Sequence, residues 1–359
     1  MTETAPLQRL IFTNDPFRAI DEEAGRLRPD RAFVLTDVNT ASYVLPRLQA
    51  LSAVCAEAEI ITVKAGDINK DLDNLSAIWK RLTDSGATRH SLMINAGGGV
   101  VTDMGAFAAS TFKRGIRFIN LPTSLLGAVD ASVGGKTGIN FAGLKNLVGS
   151  FSNADSVILS TVFFNTLDSN ELRSGYGEML KHALLSSEKD FSDILAVDIT
   201  DCPDDILLDL LRRSVLFKKS VVGQDPLEGG LRRILNLGHT AGHAFESLAL
   251  KRRLPIPHGY AVAYGLITAL VLSHICLKFP SEAIHRLAAN VRSVFGPFEF
   301  TCDDYPDLLG FMGQDKKNPQ QGKVNFTLLE AIGKPRIDCI VGRDDIVSAL
   351  DITRDFLGI

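Results

Sequence analysis

The sequence predicts an α/β fold in two parts, an N-terminal Rossmann-like parallel-sheet domain over residues 1–170 and a mainly helical domain over 171–359. Short apolar runs alternate with helical stretches in the first half, and two of those runs end in glycine-rich or small-residue turns. Helical periodicity then takes over from Glu171 onward. A chain of 359 residues is long enough for two such domains, each with its own core.

Taken in order, Arg31–Asp37 and Glu59–Val63 read as strands, and Asp71–Ser85 as a helix with Leu72, Leu75, Ile78, Trp79 and Leu82 on one face. The apolar run Ser91–Ala96 reads as a buried strand leading into Gly97-Gly98-Gly99, where the missing Cβ lets backbone N–H groups approach a pyrophosphate. Asp103 follows on a helical pattern. Ile116–Leu121 is a further strand, ending in Pro122-Thr123-Ser124; a second glycine pair, Gly134-Gly135, delivers Lys136, with Lys145 and Asn146 shortly after. A GGG turn does not fit G-x-G-x-x-G, and alone it would mark only a tight turn. Arg114, Asp130, Lys136 and Lys145, set among apolar residues, make the run from Asn95 to Gly149 read as a nucleotide site beside a phosphate site.

The second half reads as helices over Glu171–Leu185, Asp204–Val222, Leu237–Leu250, Tyr260–Phe279, Ser281–Phe295 and Asp344–Phe356. A short strand pair, Lys323–Leu329 and Lys334–Ile340, interrupts them. No repeat, low-complexity segment or long linker separates the halves, which predicts tight packing with a ligand cleft between them.

A formal net charge of −4 gives no general attraction to nucleic acid or to an anionic membrane, so the cations are locally placed and the expected ligands are small anions. Five cysteines without CxxC spacing point to free thiols in a reducing cytosol. The start MTETAPLQRLIF lacks the basic and apolar regions of a secretory signal, so the expected location is cytoplasmic. Tyr260–Leu277 is nearly apolar, yet Gly265, Thr268, Ser273 and His274 interrupt it; a buried core helix is expected rather than a membrane span.

In the second half His239 and His243 stand at i and i+4, so a helix would put them on one face, and His258 follows a proline turn. With Glu178 they are enough for a divalent metal with an open position, though spacing alone fits ordinary helix residues equally well. The pattern is not HExxH, which disfavours a zinc protease. Lys218, Arg232, Lys316 and Lys317, each taken alone, would be solvated surface charges.

Seven stretches, in order, carry a resemblance: GGGVVTDMGAF, RGIRFINLPTSLLGAVDASVGGKTGIN, LKNLVGSF, GEMLKH, EGGLRRILNLGHTAGHAFE, PHGYAVAYG and DKKN. On these the chain resembles the 3-dehydroquinate synthases of the sugar phosphate cyclase group, over nearly its whole length. The resemblance implies a phosphate-eliminating lyase of the shikimate pathway, and hence of aromatic amino acid biosynthesis. It would convert 3-deoxy-D-arabino-heptulosonate 7-phosphate to 3-dehydroquinate and phosphate by transient oxidation with NAD, phosphate elimination, reduction and intramolecular aldol closure.

Carried over by position, the resemblance implies a zinc or cobalt site at Glu178, His239 and His258, which makes the second domain metal-binding and leaves His243 for the substrate. NAD would meet Asp37, Asn39, Asp67, Lys70, Gly98, Gly99, Val100, Asp103, Thr123, Ser124, Lys145, Phe163, Thr166, Leu167 and Glu171. Substrate phosphate would meet Lys136, Asn146, Lys181, His243 and one of Lys316 and Lys317, with Arg114 reaching across from a second subunit of a homodimer. Lys218 and Arg232 would take the substrate carboxylate, and Asp130 and Asn236 would orient its hydroxyls. Four positions depart from the family pattern: Thr102 for a glycine, Ser124 for a threonine, Gly177 for an alanine and Tyr260 for a glutamate.

The rival expectations are a cyclase for a neutral sugar phosphate and a metal-dependent polyol or glycerol phosphate dehydrogenase. Two carboxylate-binding cations disfavour the first, and net NADH production would mark the second.

Overall fold

The structure, a computed structural model, describes residues 8–313 and 323–359. The chain divides into two compact units, one running through Asp168 with Pro203–Val215 and the other comprising Ser169–Cys202 and Leu216–Ile359.

The first unit opens with β1 (Arg9–Phe12), α1 (Pro16–Leu27) and β2 (Ala32–Asp37). Three short helices, α2 (Val38–Tyr43), α3 (Leu45–Leu51) and α4 (Ala53–Glu57), lead to β3 (Glu59–Val63), followed by α5 (Leu72–Asp84), β4 (Leu92–Gly97), α6 (Gly99–Thr111) and β5 (Arg117–Pro122). A hairpin of β6 (Lys136–Phe141) and β7 (Leu144–Phe151) precedes β8 (Ser156–Leu159). Six of these strands form one sheet in the order β1-β8-β5-β4-β2-β3, and every pairing in it is parallel. Such a sheet is covered on both faces, and β4 accordingly is buried along its whole length. The core on one face gathers Phe17 and Ile20 of α1, Leu48 of α3, and Val34, Ile94, Ile119 and Ile158 of the sheet. Each such fully buried side chain contributes about 1.5–3 kcal/mol relative to exposure.

Local signals start and stop the helices. Asp15 caps α1 through the Arg18 N–H, Pro16 fits its first position, and Arg28 ends it in the left-handed region. Asp71 caps α5 at the Asn74 N–H, so the residue expected to begin that helix is its cap. Leu75, Ile78 and Leu82 are buried as expected, whereas Leu72, in the first turn, is exposed.

Register is what gathers the site residues of this unit. Asp37 pairs with Val63 and Gly97 with Pro122, so β2, β3, β4 and β5 all end at one edge of the sheet. The turns that follow each strand therefore emerge together, at the carboxyl edge where doubly wound sheets bind ligands.

The second unit holds α7 (Ser169–Ser186), α8 (Glu188–Leu195), the latter part of α9 (Asp204–Gln224), α10 (His239–Lys251), α11 (His258–Leu277), α12 (Ser281–Phe295), α13 (Tyr305–Gly313) and α14 (Arg343–Leu357), with an antiparallel pair β9 (Lys323–Ala331) and β10 (Lys334–Gly342). The long apolar segment is α11, buried continuously from Gly259 to Ser273 and covered by α7, α10, α12, α14 and β9. It is apolar all round because it is enclosed all round. α10 begins at His239 rather than at Leu237, because Gly238 before it takes φ 77°, which no helix continues through.

Candidate active site

In the second unit four side chains converge from three helices. Glu178 sits mid-α7 and is fully buried, His239 opens α10, His243 lies one turn later, and His258 opens α11. The α7–α11 crossing sets their spacing. A Cβ on Gly177 would stand 2.1 Å from the Gly259 carbonyl oxygen, and one on Gly259 would stand 1.7 Å from that of Ser174, so the two backbones touch. Glu178 follows one of these glycines and His258 precedes the other, which brings the His258 Nε2 to 3.6 Å from Glu178 Oε1. His239 Nε2 lies 3.5 Å from the same oxygen. One ring nitrogen from each of His239, His243 and His258 falls within 4.8 Å of the others.

Two of the imidazoles are oriented from behind. His239 Nδ1 faces the Leu237 carbonyl at 3.3 Å, and His258 Nδ1 faces Glu246 Oε2 at 3.2 Å. Carboxylate or carbonyl support of the second ring nitrogen is the usual way a metal-bound histidine is held. Glu246 was not among the residues expected from sequence. Its signal is present all the same: it stands three residues after His243, one helical turn along α10.

The charges are strongly perturbed. Burial alone would raise the Glu178 carboxyl, yet Lys181, His239 and His258 hold it well below the usual carboxylate range. Burial and the Lys181 ammonium hold His239 well below the ordinary imidazole value, against the pull of Glu178. Burial acts the same way on His258, but Glu178 and Glu246 carry it up to about 10. The Lys181 ammonium lies against Glu178 Oε2. Even so, neither carboxylate oxygen receives a properly directed hydrogen bond, and imidazoles at 3.5 and 3.6 Å are too far to give one. A buried carboxylate paired with one ammonium and facing the ring nitrogens of His239 and His258 is a donor set that fits a divalent cation of the zinc type.

Lys218 on α9 and Arg232 in a short 3₁₀ turn, Leu231–Asn236, are both buried rather than solvated. Arg232 is anchored by donating from Nη1 to the Pro226 carbonyl at 2.8 Å, while Asp225 accepts from its backbone N–H. Asn236 closes the same turn. Lys316 and Lys317 lie outside the described residues.

In the first unit the expected dinucleotide residues follow the strands that end at the carboxyl edge. Asp37 ends β2 and Asn39 follows it, Asp67 and Lys70 come after β3, Gly98, Gly99, Val100 and Asp103 after β4, and Thr123 and Ser124 after β5. Gly98 caps α6 without a side chain, leaving the first-turn N–H groups available to an anion. A Cβ there would come within 3.1 Å of Ser124 Oγ. Thr102 does not crowd this turn, because its buried hydroxyl donates back to the Gly98 and Gly99 carbonyls at 3.3 and 3.1 Å.

Lys70 is buried and joins α6 to β7, its Nζ donating to Asp103 Oδ2 at 2.6 Å and to Asn146 Oδ1 at 2.5 Å. Lys145 lies 3.4 Å from Asp67. Phe163 is packed against Phe17 with ring centroids 5.9 Å apart, so its backbone is what a ligand could meet; Thr166 and Leu167 follow. Glu171 belongs to the other unit, exposed in the first turn of α7. Arg114, Lys136 and Lys145 are exposed and Asp130 is half-buried. The apolar neighbours in sequence therefore belong to the framework beneath these cations and do not enclose them.

Comparison with known proteins adds the following. The family models for the 3-dehydroquinate synthase N-terminal and C-terminal regions match residues 60–174 and 175–318. A 3-dehydroquinate synthase from Parabacteroides distasonis is 43% identical over 98% of this chain and 99% of its own length. One from Thermococcus kodakarensis is 38% identical over 96% and 95%. Among solved structures, a 2-epi-5-epi-valiolone synthase from Streptomyces hygroscopicus with NAD+ and Zn2+ bound superposes with a TM-score of 0.86 at 24% identity, covering 99% of this chain and 98% of that one. A 2-deoxy-scyllo-inosose synthase complexed with carbaglucose-6-phosphate, NAD+ and Co2+ gives 0.83 at 21%, covering 95% of each. At those identities the two structures speak to the fold.

Proposed function

The chain belongs to the 3-dehydroquinate synthase family and is an enzyme of that type, and we propose that the residues described above divide the reaction between its two units. The substrate is 3-deoxy-D-arabino-heptulosonate 7-phosphate and the products are 3-dehydroquinate and inorganic phosphate. The observation that carries the assignment of roles is the fully buried Glu178 carboxylate facing the ring nitrogens of His239 and His258.

Glu178, His239 and His258 would hold zinc or cobalt, which when bound polarises a substrate oxygen as a Lewis acid. The α6 N-terminus, with Asp37, Asn39, Asp67, Lys70, Asp103, Thr123, Ser124 and Lys145, would hold NAD, which when bound takes up a hydride and returns it, so no net oxidation results. The chain's own groups do the rest. Lys218 and Arg232, already desolvated, favour a ligand that brings a carboxylate, which distinguishes this substrate from a neutral sugar phosphate. Lys136, Asn146, Lys181 and His243 bind the phosphate and stabilise the charge that develops as it departs. Asp130 and Asn236 orient hydroxyls. Lys316 or Lys317 contributes a further cation to the phosphate, and Phe163, Thr166, Leu167 and Glu171 complete the dinucleotide contacts.

A homodimer belongs to the same proposal. Phe141, Leu144, Leu147, Val148 and Phe151 are all exposed on the β6–β7 hairpin, a concentration of apolar surface suited to a second copy. Exposed Arg114 follows α6, whose Ser110 contacts Ser150 of that hairpin at 3.1 Å, which supports its serving a partner's phosphate site. The expected location is cytoplasmic, consistent with five free cysteines.

The test is phosphate release from the heptulosonate phosphate with NAD and zinc supplied, followed together with NADH absorbance. Phosphate without accumulating NADH, abolished by a chelator, is the expected result. NADH rising in step with substrate consumption would overturn the proposal in favour of a dehydrogenase. Turnover of sedoheptulose 7-phosphate but not of the heptulosonate would overturn it in favour of another cyclase.

A further inference from the structure

The β6–β7 hairpin carries an irregularity at the place where the two ligand groups of the first unit meet. Its strands pair regularly from Lys136 with Phe151 to Ile139 with Val148, and pairing resumes only at Phe141 with Leu144. Asn140 thus faces three residues, Lys145, Asn146 and Leu147, and Asn146 takes φ 51°. A bulge of this kind re-aims a side chain, and a left-handed asparagine needs local support to stay there.

That support comes from Asn140. Its Oδ1 accepts from the Asn146 N–H at 2.9 Å, which fills the gap left in the ladder. Its Nδ2 donates to the Asp67 carbonyl at 2.8 Å, and its backbone N–H donates to the Lys70 carbonyl at 2.7 Å. The loop closes from the far side, where Lys70 Nζ donates to Asn146 Oδ1 and to Asp103 Oδ2. One amide therefore holds both the turn assigned to the dinucleotide and the asparagine assigned to substrate phosphate.

We propose that Asn140 is a positioning residue for the reaction, tying the Asp67–Lys70 turn to the bulged Asn146 so that both ligand groups are presented in register. The inference rests on the roles proposed above for Lys70 and Asn146. Asn140 touches neither ligand and acts through these neighbours.

The test compares wild type, Asn140→Ala, Asn146→Ala and the double variant in the full-length protein with zinc, measuring KM and kcat for the heptulosonate phosphate, the equilibrium Kd for NAD and the unfolding midpoint. Removing two hydrogen bonds of about 1 kcal/mol each predicts that Asn140→Ala raises KM and the NAD Kd by about tenfold or more, with a smaller change in kcat. In the Asn146→Ala background the same substitution should add less than about twofold to KM, since a positioning residue loses its effect with the group it positions. Asn140→Asp keeps the acceptor for the Asn146 N–H but turns an anion toward the Asp67 carbonyl, so it should recover KM more than NAD affinity. This comparison also serves if the alanine variant does not fold. Additive effects of the two alanine substitutions on KM, or a lower unfolding midpoint with KM and NAD Kd unmoved, would overturn the inference. A wild-type protein that binds NAD but releases no phosphate would instead overturn the proposed function.

Discussion

Gly177→Ala adds one methyl group at the place where α7 and α11 meet. The new Cβ would lie 2.1 Å from the Gly259 carbonyl oxygen and 2.8 Å from its carbon, both backbone atoms that no rotamer change can move. Ordinary contact requires roughly 1 Å more separation, since favourable carbon contacts begin near 3.5 Å. The helices must part at the point that sets Glu178 against His258, already 3.6 Å apart. Overpacking of this kind costs about 1–3 kcal/mol. At about 2–4 °C per kcal/mol for a unit of this size, the metal-free midpoint should fall by several degrees. Zinc affinity, measured by competition with a chromophoric chelator, should weaken at least about tenfold, or ~1.4 kcal/mol. A midpoint within about 1 °C of wild type, together with unchanged zinc affinity, would refute the reasoning.

Glu246→Gln removes the carboxylate behind His258 and should weaken zinc binding about 10–100-fold while leaving the fold in place, read by the same competition assay alongside circular dichroism. In the metal-free protein His258 is carried from 6.5 up to about 10, so its contribution to stability is complete below pH 6.5 and fades as pH rises through about 10. Denaturant titrations should therefore show the metal-free chain losing stability over that window; a flat profile would contradict the assigned charge partners. Lys136→Ala should abolish turnover with an unchanged unfolding midpoint, because the side chain is exposed and its proposed role is electrostatic. If the proposed dimer forms through the β6–β7 hairpin, Leu147→Glu should shift sedimentation from dimer toward monomer; an unshifted dimer would move the interface elsewhere.

Much of the framework was legible because period and composition agreed. The strand over Glu59–Val63 and the helix over Ser281–Phe295 were placed to the residue, and the flanking elements mostly within one or two positions. The β6–β7 hairpin was not legible. β7 is exposed along nearly its whole length, β6 is buried only at Thr137–Ile139, neither alternates cleanly and both carry glycines, so the segment read as a phosphate turn rather than as strands. For the metal cluster, spacing alone could bring His239 and His243 together on a helix face but could not supply Glu178, which comes from another helix through a glycine contact. Burial of Lys218 and Arg232 was hidden for a related reason: local sequence reports a charge, while its enclosure depends on elements distant in the chain.

The enclosure of α11 bears on how the protein is made. Of the five elements that cover it, only α7 and α10 precede it in the chain, while α12, β9 and α14 are synthesised afterwards. This helix, with an 18-residue window of mean hydropathy 1.8, must therefore leave the ribosome before its last cover, ending at Leu357, exists. Until then the nascent chain displays an apolar rod that could engage membrane-insertion machinery or a second nascent chain. The full cover of α11 is therefore complete only once α14 has been made.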